Sequence, residues 1–173
     1  MNIDAISKQS SYLDDLQACI DIARNAHFLS HESVAIEFPV VSWAALQESL
    51  AFTKEFHRSI YIFNVENASA SISKAFSAYK DTKERACPKL NAYVSKALYV
   101  GSSTTGIRNR LKQHFGFGPK STYALHLNHW FEGDLSLDIF DYGDLDPSVL
   151  QLVEDSISTA LKPMFGKQGG NNK

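Results

Sequence analysis

The sequence predicts an α+β fold: a small, mostly antiparallel, three-stranded sheet flanked by helices, with a helical extension at the N-terminus. Three short segments, 59–65, 97–100 and 135–142, are rich in β-branched and aromatic residues or alternate apolar with polar ones. Around them, apolar residues recur every three or four positions, as in amphipathic helices. We expect residues 1–56 to form the extension and residues 57–173 to form the main domain.

The N-terminal part is predicted to be helical, with a break around 30–39. Its first helix carries apolar residues at helical spacing, namely Leu13, Leu16, Ile20 and Ala23. Ser42 is placed to cap a second helix, whose apolar residues are Trp43, Leu46, Leu50 and Phe52. Neither helix carries residues that suggest chemistry. We therefore expect them to support the domain, or to mediate self-association or contact with a partner protein.

The strands and helices alternate after residue 57. The strand 59–65 precedes a helix at 68–84 with Ile72, Phe76 and Tyr79 on one face. The strand 97–100 ends at Gly101, and a helix follows at 105–115. Residues 123–130 are predicted to form a short helix or an irregular segment.

The last strand and the last helix have the clearest signals. In the strand 135–142, Leu135, Leu137 and Ile139 are predicted to face inward. Asp146 and Pro147 are typical of a helix start, with Asp as the cap and Pro at the first helical position. That helix is predicted to end near Leu161, before Pro163.

Charge is unevenly distributed along the chain. The net charge is −2, and acidic residues outnumber basic ones from 1 to 57. Between 101 and 130 every charged residue is basic, and these residues are Arg108, Arg110, Lys112 and Lys120. A locally basic surface that could bind nucleic acid is therefore expected on an otherwise acidic protein.

The location of the protein is predicted from what the sequence lacks. No segment is long and apolar enough to suggest a membrane span, and the first residues do not resemble a secretory signal. Cys19 and Cys87 stand apart, without the paired spacing of a zinc site. We expect a cytoplasmic protein with reduced thiols.

Several motifs in the second part of the chain occur in a recognisable order. Tyr61 lies in Ser-Ile-Tyr-Ile and Tyr99 in Tyr-Val-Gly-Ser. Arg110 and His114 are one turn apart on a predicted helix, and Glu154 lies on the last helix, before Lys-Pro-Met-Phe. From residue 58 onward, the chain resembles the GIY-YIG nuclease superfamily in these residues and in their order. Arg108 is a second candidate for the arginine, although the spacing to the histidine favours Arg110.

The resemblance implies a one-metal phosphodiesterase with Tyr61, Tyr99, Arg110, His114 and Glu154 as catalytic residues. A single carboxylate, Glu154, suffices to hold Mg²⁺ or Mn²⁺, because such ions keep waters and phosphate oxygens as further ligands. Arg110 is expected to bind a phosphate oxygen, and His114 to activate a group or donate a proton. A tyrosine is expected to orient or activate water, which requires a nearby cation to lower its pKa.

The chain departs from the family pattern in three places. Ser59 stands where the first glycine is expected. The stretch between Tyr61 and Tyr99 is long and contains a helix, which resembles the restriction-endonuclease branch. Gly166 stands where the family has an asparagine, so Asn171 or Asn172 would have to replace it.

The predicted function is a metal-dependent endonuclease acting on DNA, with RNA left open as a substrate. Arg108, Lys112 and Lys120 are expected to contact nucleic acid. The alternative is a catalytically weakened protein on the same scaffold, which binds nucleic acid or a partner protein. The complete set of five site residues favours the endonuclease, whereas the acidic balance and the missing asparagine favour the alternative.

Overall fold

One antiparallel sheet forms the centre of the computed structural model, which describes residues 3–54 and 56–167. The sheet has four strands in the order β1-β4-β2-β3, all neighbours being antiparallel. The strands are β1 (Ser30–Phe38), β2 (Ser59–Asn64), β3 (Ala97–Ser103) and β4 (Gly133–Asp141). The α+β class and the antiparallel sheet are confirmed, but the sheet has one strand more than the three predicted.

The additional strand, β1, lies in the segment that was predicted to be a break between helices. It pairs with β4 along its whole length, from Ser30 opposite Asp141 to Phe38 opposite Gly133. Because β1 is an edge strand with one covered face, only alternate residues such as Ile36 and Phe38 are buried. The predicted helical extension therefore contributes a strand to the sheet, while the domain boundary after residue 56 stays a prediction.

Five α-helices surround the sheet within the described residues: α1 (Ile3–Arg24), α2 (Trp43–Gln47), α3 (Ala70–Asp81), α4 (Ile107–His114) and α5 (Pro147–Leu161). The predicted caps are confirmed. Ser42 Oγ accepts a hydrogen bond from the Ala45 amide (3.1 Å), and Asp146 accepts one from the Ser148 amide (2.8 Å). Helix α2 is shorter than predicted, since Leu50 and Phe52 lie beyond its end. None of these helices combines the length and the apolarity that a membrane span requires.

The sheet separates two apolar layers. Helices α1 and α5 cover one face, where Ile62 and Val100 pack against Leu150 and Val153. On the other face, α3, α4 and the segment 124–131 enclose the larger core around Phe63. Strand β2 is central and is covered on both sides, which explains its nearly continuous apolar sequence. Strand β3 is the opposite edge from β1, and it continues through Gly101 to Ser103 instead of ending at Gly101.

Ile36→Ala is expected to lower the free energy of unfolding by about 2–5 kcal/mol, because it removes buried methyl and methylene groups and leaves a cavity. Val41→Ala, just beyond β1, is the control. The Val41 side chain is 94% exposed, so its loss should change stability by less than about 0.5 kcal/mol. Urea unfolding would measure both variants, and equally small effects would contradict the packing of β1 on the sheet.

Candidate active site at the edge of the sheet

A cleft of about 610 Å³ opens at the edge strand β3. Four of the five predicted catalytic residues line it, and they come from four different elements: Tyr61 from β2, Tyr99 from β3, Arg110 from α4 and Glu154 from α5. His114 is fully buried and is hydrogen-bonded to Tyr61. The structure therefore brings all five residues together around one cavity.

The two tyrosines lie side by side because their strands are paired. Tyr61 is opposite Gly101 and Tyr99 is opposite Phe63, so both rings point to the same face of the sheet. Their centroids are 6.2 Å apart and their planes differ by 22°. A Cβ atom at Gly101 would lie 2.6 Å from Tyr61 Oη and 2.7 Å from Tyr99 Cε1. Gly101 is therefore part of the site, and the sequence had suggested only that it ends a strand.

The hydrogen bonds of His114 determine its tautomer. The backbone N–H of Leu125 donates to Nδ1 at 3.3 Å. A neutral imidazole whose Nδ1 accepts a hydrogen bond carries its proton on Nε2. The Nε2–H group then donates to Tyr61 Oη at 3.1 Å. Both ring nitrogens are thus occupied within the protein, and the histidine holds Tyr61 in place.

Burial controls the ionisation of this cluster. It lowers the pKa of His114 well below the ordinary value, and the positive charge of Arg110 lowers it further. Burial also raises the pKa of Tyr61 and of Tyr99, and Arg110 opposes both shifts. At neutral pH the resting site therefore contains a neutral imidazole and two protonated phenols.

Arg110 provides the permanent positive charge of the cleft. Burial lowers its pKa, but the two phenols beside it raise that pKa by more. Its Nη1 donates to Gln113 Oε1 at 2.6 Å. Its Nη2 lies 3.4 Å from His114 Nε2, which is a close approach and not a hydrogen bond in this tautomer, because both nitrogens carry hydrogen. The competing candidate, Arg108, donates to the carbonyl of Leu50 (3.3 Å) and does not line the cleft. The geometry thus places Arg110, and not Arg108, beside the tyrosines.

Glu154 approaches the cleft from the opposite face of the sheet. Successive side chains of a strand alternate between faces, so Ser102 points towards α5 while Gly101 points towards the tyrosines. Ser102 Oγ donates a hydrogen bond to Glu154 Oε2. Burial raises the pKa of Glu154, and the bond from Ser102 opposes this shift. The two faces meet here because β3 has no neighbour beyond it.

The donor atoms around Glu154 suit a hard cation. The described residues contain no cluster of three or more His, Cys, Asp or Glu side chains. Glu154 is the one carboxylate among the residues lining the cleft, and the nearby Ser102 and Gln151 also offer oxygen atoms. Mg²⁺ and Mn²⁺ accept such a sparse oxygen set, since waters and a substrate phosphate complete their shell.

The cations around the cleft differ from those that the sequence suggested. Lys112 is half-buried on α4 and does not line the cleft, whereas Lys120 is exposed in an adjoining groove. The lysines that line the cleft are Lys80, Lys89 and Lys167. A local charge count could have found the first two, because residues 74–96 contain six basic residues and two acidic ones, namely Lys74, Lys80, Lys83, Arg85, Lys89, Lys96, Asp81 and Glu84.

Gly166, which stands where the resemblance would require an asparagine, lines the cleft. Its φ of +108° favours glycine, and a Cβ atom there would lie 3.2 Å from Tyr99 Cε2. Its N–H donates to the carbonyl of Lys89 at 2.9 Å. Gly166 therefore packs on the Tyr99 ring and offers no side-chain amide. Asn171 and Asn172 lie outside the described residues.

Comparison with known proteins gives no family for this chain. No protein-family model matches it, and no curated protein or solved structure matches it either. The resemblance to the GIY-YIG superfamily thus stays a prediction that rests on the site residues and on their order.

Gly101→Ala is expected to displace Tyr61 or Tyr99 and to cost about 1–3 kcal/mol of stability, as overpacking does in tight cores. Ser103→Ala is the control on the same strand and the same face. The Ser103 hydroxyl is buried without a hydrogen-bond partner, so its removal should be neutral or stabilising. Thermal unfolding would measure both, and a stable Gly101→Ala variant would contradict the close contact between the rings and the strand.

The lowered pKa of His114 predicts that acid destabilises the protein. Below about pH 6.5 the unfolded chain gains a proton on this imidazole that the folded protein does not, so stability falls with pH by up to about 1.4 kcal/mol per unit. His114→Gln should reduce this slope. Part of the slope should remain, because burial also lowers the pKa of His126. Urea unfolding between pH 5 and 7.5 measures the slope. The exposed His27 supplies the control variant His27→Gln, and an unchanged slope in His114→Gln would contradict the prediction.

Proposed function

We propose that this protein is a divalent-metal-dependent endonuclease that hydrolyses DNA phosphodiester bonds. One observation carries the proposal: Tyr61, Tyr99, Arg110 and Glu154 converge on a single cleft, with His114 directly behind it. The hydrolysis of a phosphodiester requires a positive charge for the phosphate, a group that orients water and an acidic ligand for a cation. The cleft contains a residue suited to each of these tasks.

Arg110 is the group that binds the scissile phosphate. Its guanidinium is permanently charged and can donate two parallel hydrogen bonds to phosphate oxygens. The bond to Gln113 fixes the orientation of one amino group. Because Arg110 is half-buried, its charge is less screened than that of an exposed arginine, which strengthens its attraction for the anionic substrate.

Tyr61 is the phenol that orients the attacking water. His114 donates to its oxygen, and such a bond favours the ionised form of the phenol. The same bond leaves the phenolic proton available to a second partner. His114 acts through Tyr61 as a positioning residue, since both of its nitrogens are already hydrogen-bonded. Tyr99 packs beside Tyr61, and the half-buried ring of Tyr99 forms part of the wall that the substrate would touch.

Glu154 and the oxygens near it would hold the cation. When bound, Mg²⁺ or Mn²⁺ supplies charge stabilisation for the phosphate and for the leaving oxygen. Ser102 orients the carboxylate, and its hydrogen bond opposes the rise in the pKa of Glu154 that burial causes. Tyr61 also benefits from additional positive charge, because its own pKa is raised by burial.

A second candidate function is nucleic-acid binding without efficient cleavage. Gly166 favours it, because this residue provides no amide where the family carries an asparagine. In that case the same cleft would bind a phosphodiester through Arg110 and the lysines, without cutting it.

The two functions are separated by cleavage of supercoiled plasmid and of single-stranded circular DNA in the presence of Mg²⁺ or Mn²⁺. Glu154→Gln should lower the cleavage rate at least about 10²-fold, because a neutral amide binds the cation poorly. Glu132→Gln is the control, since this exposed carboxylate does not line the cleft. No cleavage by the wild type would favour the binding protein, and equal cleavage by Glu154→Gln would contradict the metal site.

The acid side of the pH profile gives a second test of Glu154. Burial raises the pKa of this carboxyl, so it takes up a proton at a higher pH than an ordinary glutamate does. Cleavage should therefore begin to fall on acidification above the usual glutamate pKa of about 4.3. Ser102→Ala removes the bond that opposes the shift, and it should move the acid limb to still higher pH. An acid limb that does not move would contradict the role of Ser102.

A further inference from the structure

Two further grooves open from the cleft. The first, about 620 Å³, is lined by residues 83–86, 120 and 121, and it shares Lys80, Cys87 and Tyr123 with the cleft. The second, about 690 Å³, is lined by residues 90–93 and shares Lys89 and Lys167 with the cleft. The two grooves have no lining residue in common, so they adjoin the cleft at different places. Together, the three cavities form one track that includes the site.

The track is strongly basic although the chain as a whole carries a net charge of −2. The first groove has four basic side chains and one acidic one, namely Lys80, Lys83, Arg85, Lys120 and Glu84. The second groove has Lys89 and Lys167, and it has no acidic residue in its lining. This distribution suits a polyanion that extends beyond the cleft on both sides.

Each groove also presents an exposed tyrosine. Tyr123 is 67% exposed where the first groove joins the cleft, and Tyr93 is 42% exposed in the second groove. Lys162 Nζ lies 6.0 Å from the centroid of the Tyr93 ring. Aromatic rings among lysines are typical of surfaces that bind single strands, because unpaired bases stack on the rings while phosphates contact the cations. The paired and stacked bases of a duplex would not reach either ring.

We propose that the track binds single-stranded DNA, with unpaired nucleotides on both sides of the cleft. Bases stack on Tyr123 and Tyr93, and the lysines bind the backbone phosphates. The inference deepens the proposed endonuclease function, on which it rests, by assigning an unpaired strand as the substrate.

Binding in EDTA tests the track without any cleavage. The fluorescence anisotropy of a labelled single strand of about 20 nucleotides is compared with that of the matched duplex. The wild type should bind the single strand more tightly. Tyr123→Ala and Tyr93→Ala should each weaken its binding about tenfold, as the loss of one stacked base does, while Tyr123→Phe and Tyr93→Phe should keep it. Tyr12→Ala on α1, where the side chain is 65% exposed, is the control and should change nothing.

The salt dependence of the same measurement tests the lysines. Lys89→Ala and Lys167→Ala should each reduce the slope of log K against log salt by about 0.7, the value for one phosphate contact on a single strand. Lys74→Ala is the control, because Lys74 is exposed on α3 and lines none of the three cavities. The circular dichroism spectrum of each variant should match that of the wild type, since every substituted side chain is at the surface.

Two results would overturn the track: duplex binding as tight as single-strand binding, or alanine variants of both tyrosines that bind like Tyr12→Ala. The endonuclease proposal would survive either result if the plasmid were still cut. Conversely, stacking-dependent binding by a protein that cuts nothing with any metal would support the track and refute the endonuclease.

Discussion

The imidazole of His114 joins three parts of the chain in the buried core. It belongs to α4, it accepts the backbone N–H of Leu125, and it donates to Tyr61 on the central strand β2. A buried polar ring is tolerated only when its nitrogens are satisfied, so these bonds define where α4 can lie against the sheet. The same helix carries Arg110 one turn earlier, and the position of that guanidinium beside the tyrosines therefore depends on the histidine.

The edge position of β3 explains why one cleft can collect side chains from both faces of the sheet. If β3 were a central strand, its next neighbour would separate the side of the sheet that Gly101 faces from the side that Ser102 faces. At the edge, the tyrosines on one side and Glu154 on the other border the same opening. The loop between α3 and β3 and the C-terminal segment line the remaining side through Lys89 and Gly166, whose backbones are hydrogen-bonded to each other.

Local sequence patterns predicted the elements whose formation depends on neighbouring residues alone. The cap at Asp146, the alternation around Leu137 and the apolar run of β2 are properties of a few neighbouring residues, and the structure shows each of them. Strand β1 was not predicted, because apolar residues alternate with others only in its second half, at Val34, Ile36 and Phe38, and because its partner β4 is about a hundred positions away in the sequence.

The site residues divide in the same way, into those that a local sequence pattern predicts and those that depend on contacts between distant segments. The pairing of Arg110 with His114 follows from helical spacing. In contrast, the contact of Gly101 with the two tyrosines depends on strand register, and the grouping of Lys80, Lys89 and Lys167 depends on how a loop and the C-terminal segment fold together. A local charge count indicates Lys80 and Lys89 as basic candidates, but neither arrangement itself can be found from a pattern of neighbours. The hydrogen bond of Arg108 likewise depends on a carbonyl distant in sequence, that of Leu50.

The central claim is that the tyrosine cluster and the arginine serve one phosphodiester reaction. The most direct measurement is the rate of metal-dependent DNA cleavage by Tyr61→Phe, Arg110→Lys and the double variant, each compared with the wild type. Residues that act as a unit are not additive, so the double variant should be about as slow as the slower single variant. Losses that multiply in the double variant, or a wild type that does not cleave DNA, would contradict the account.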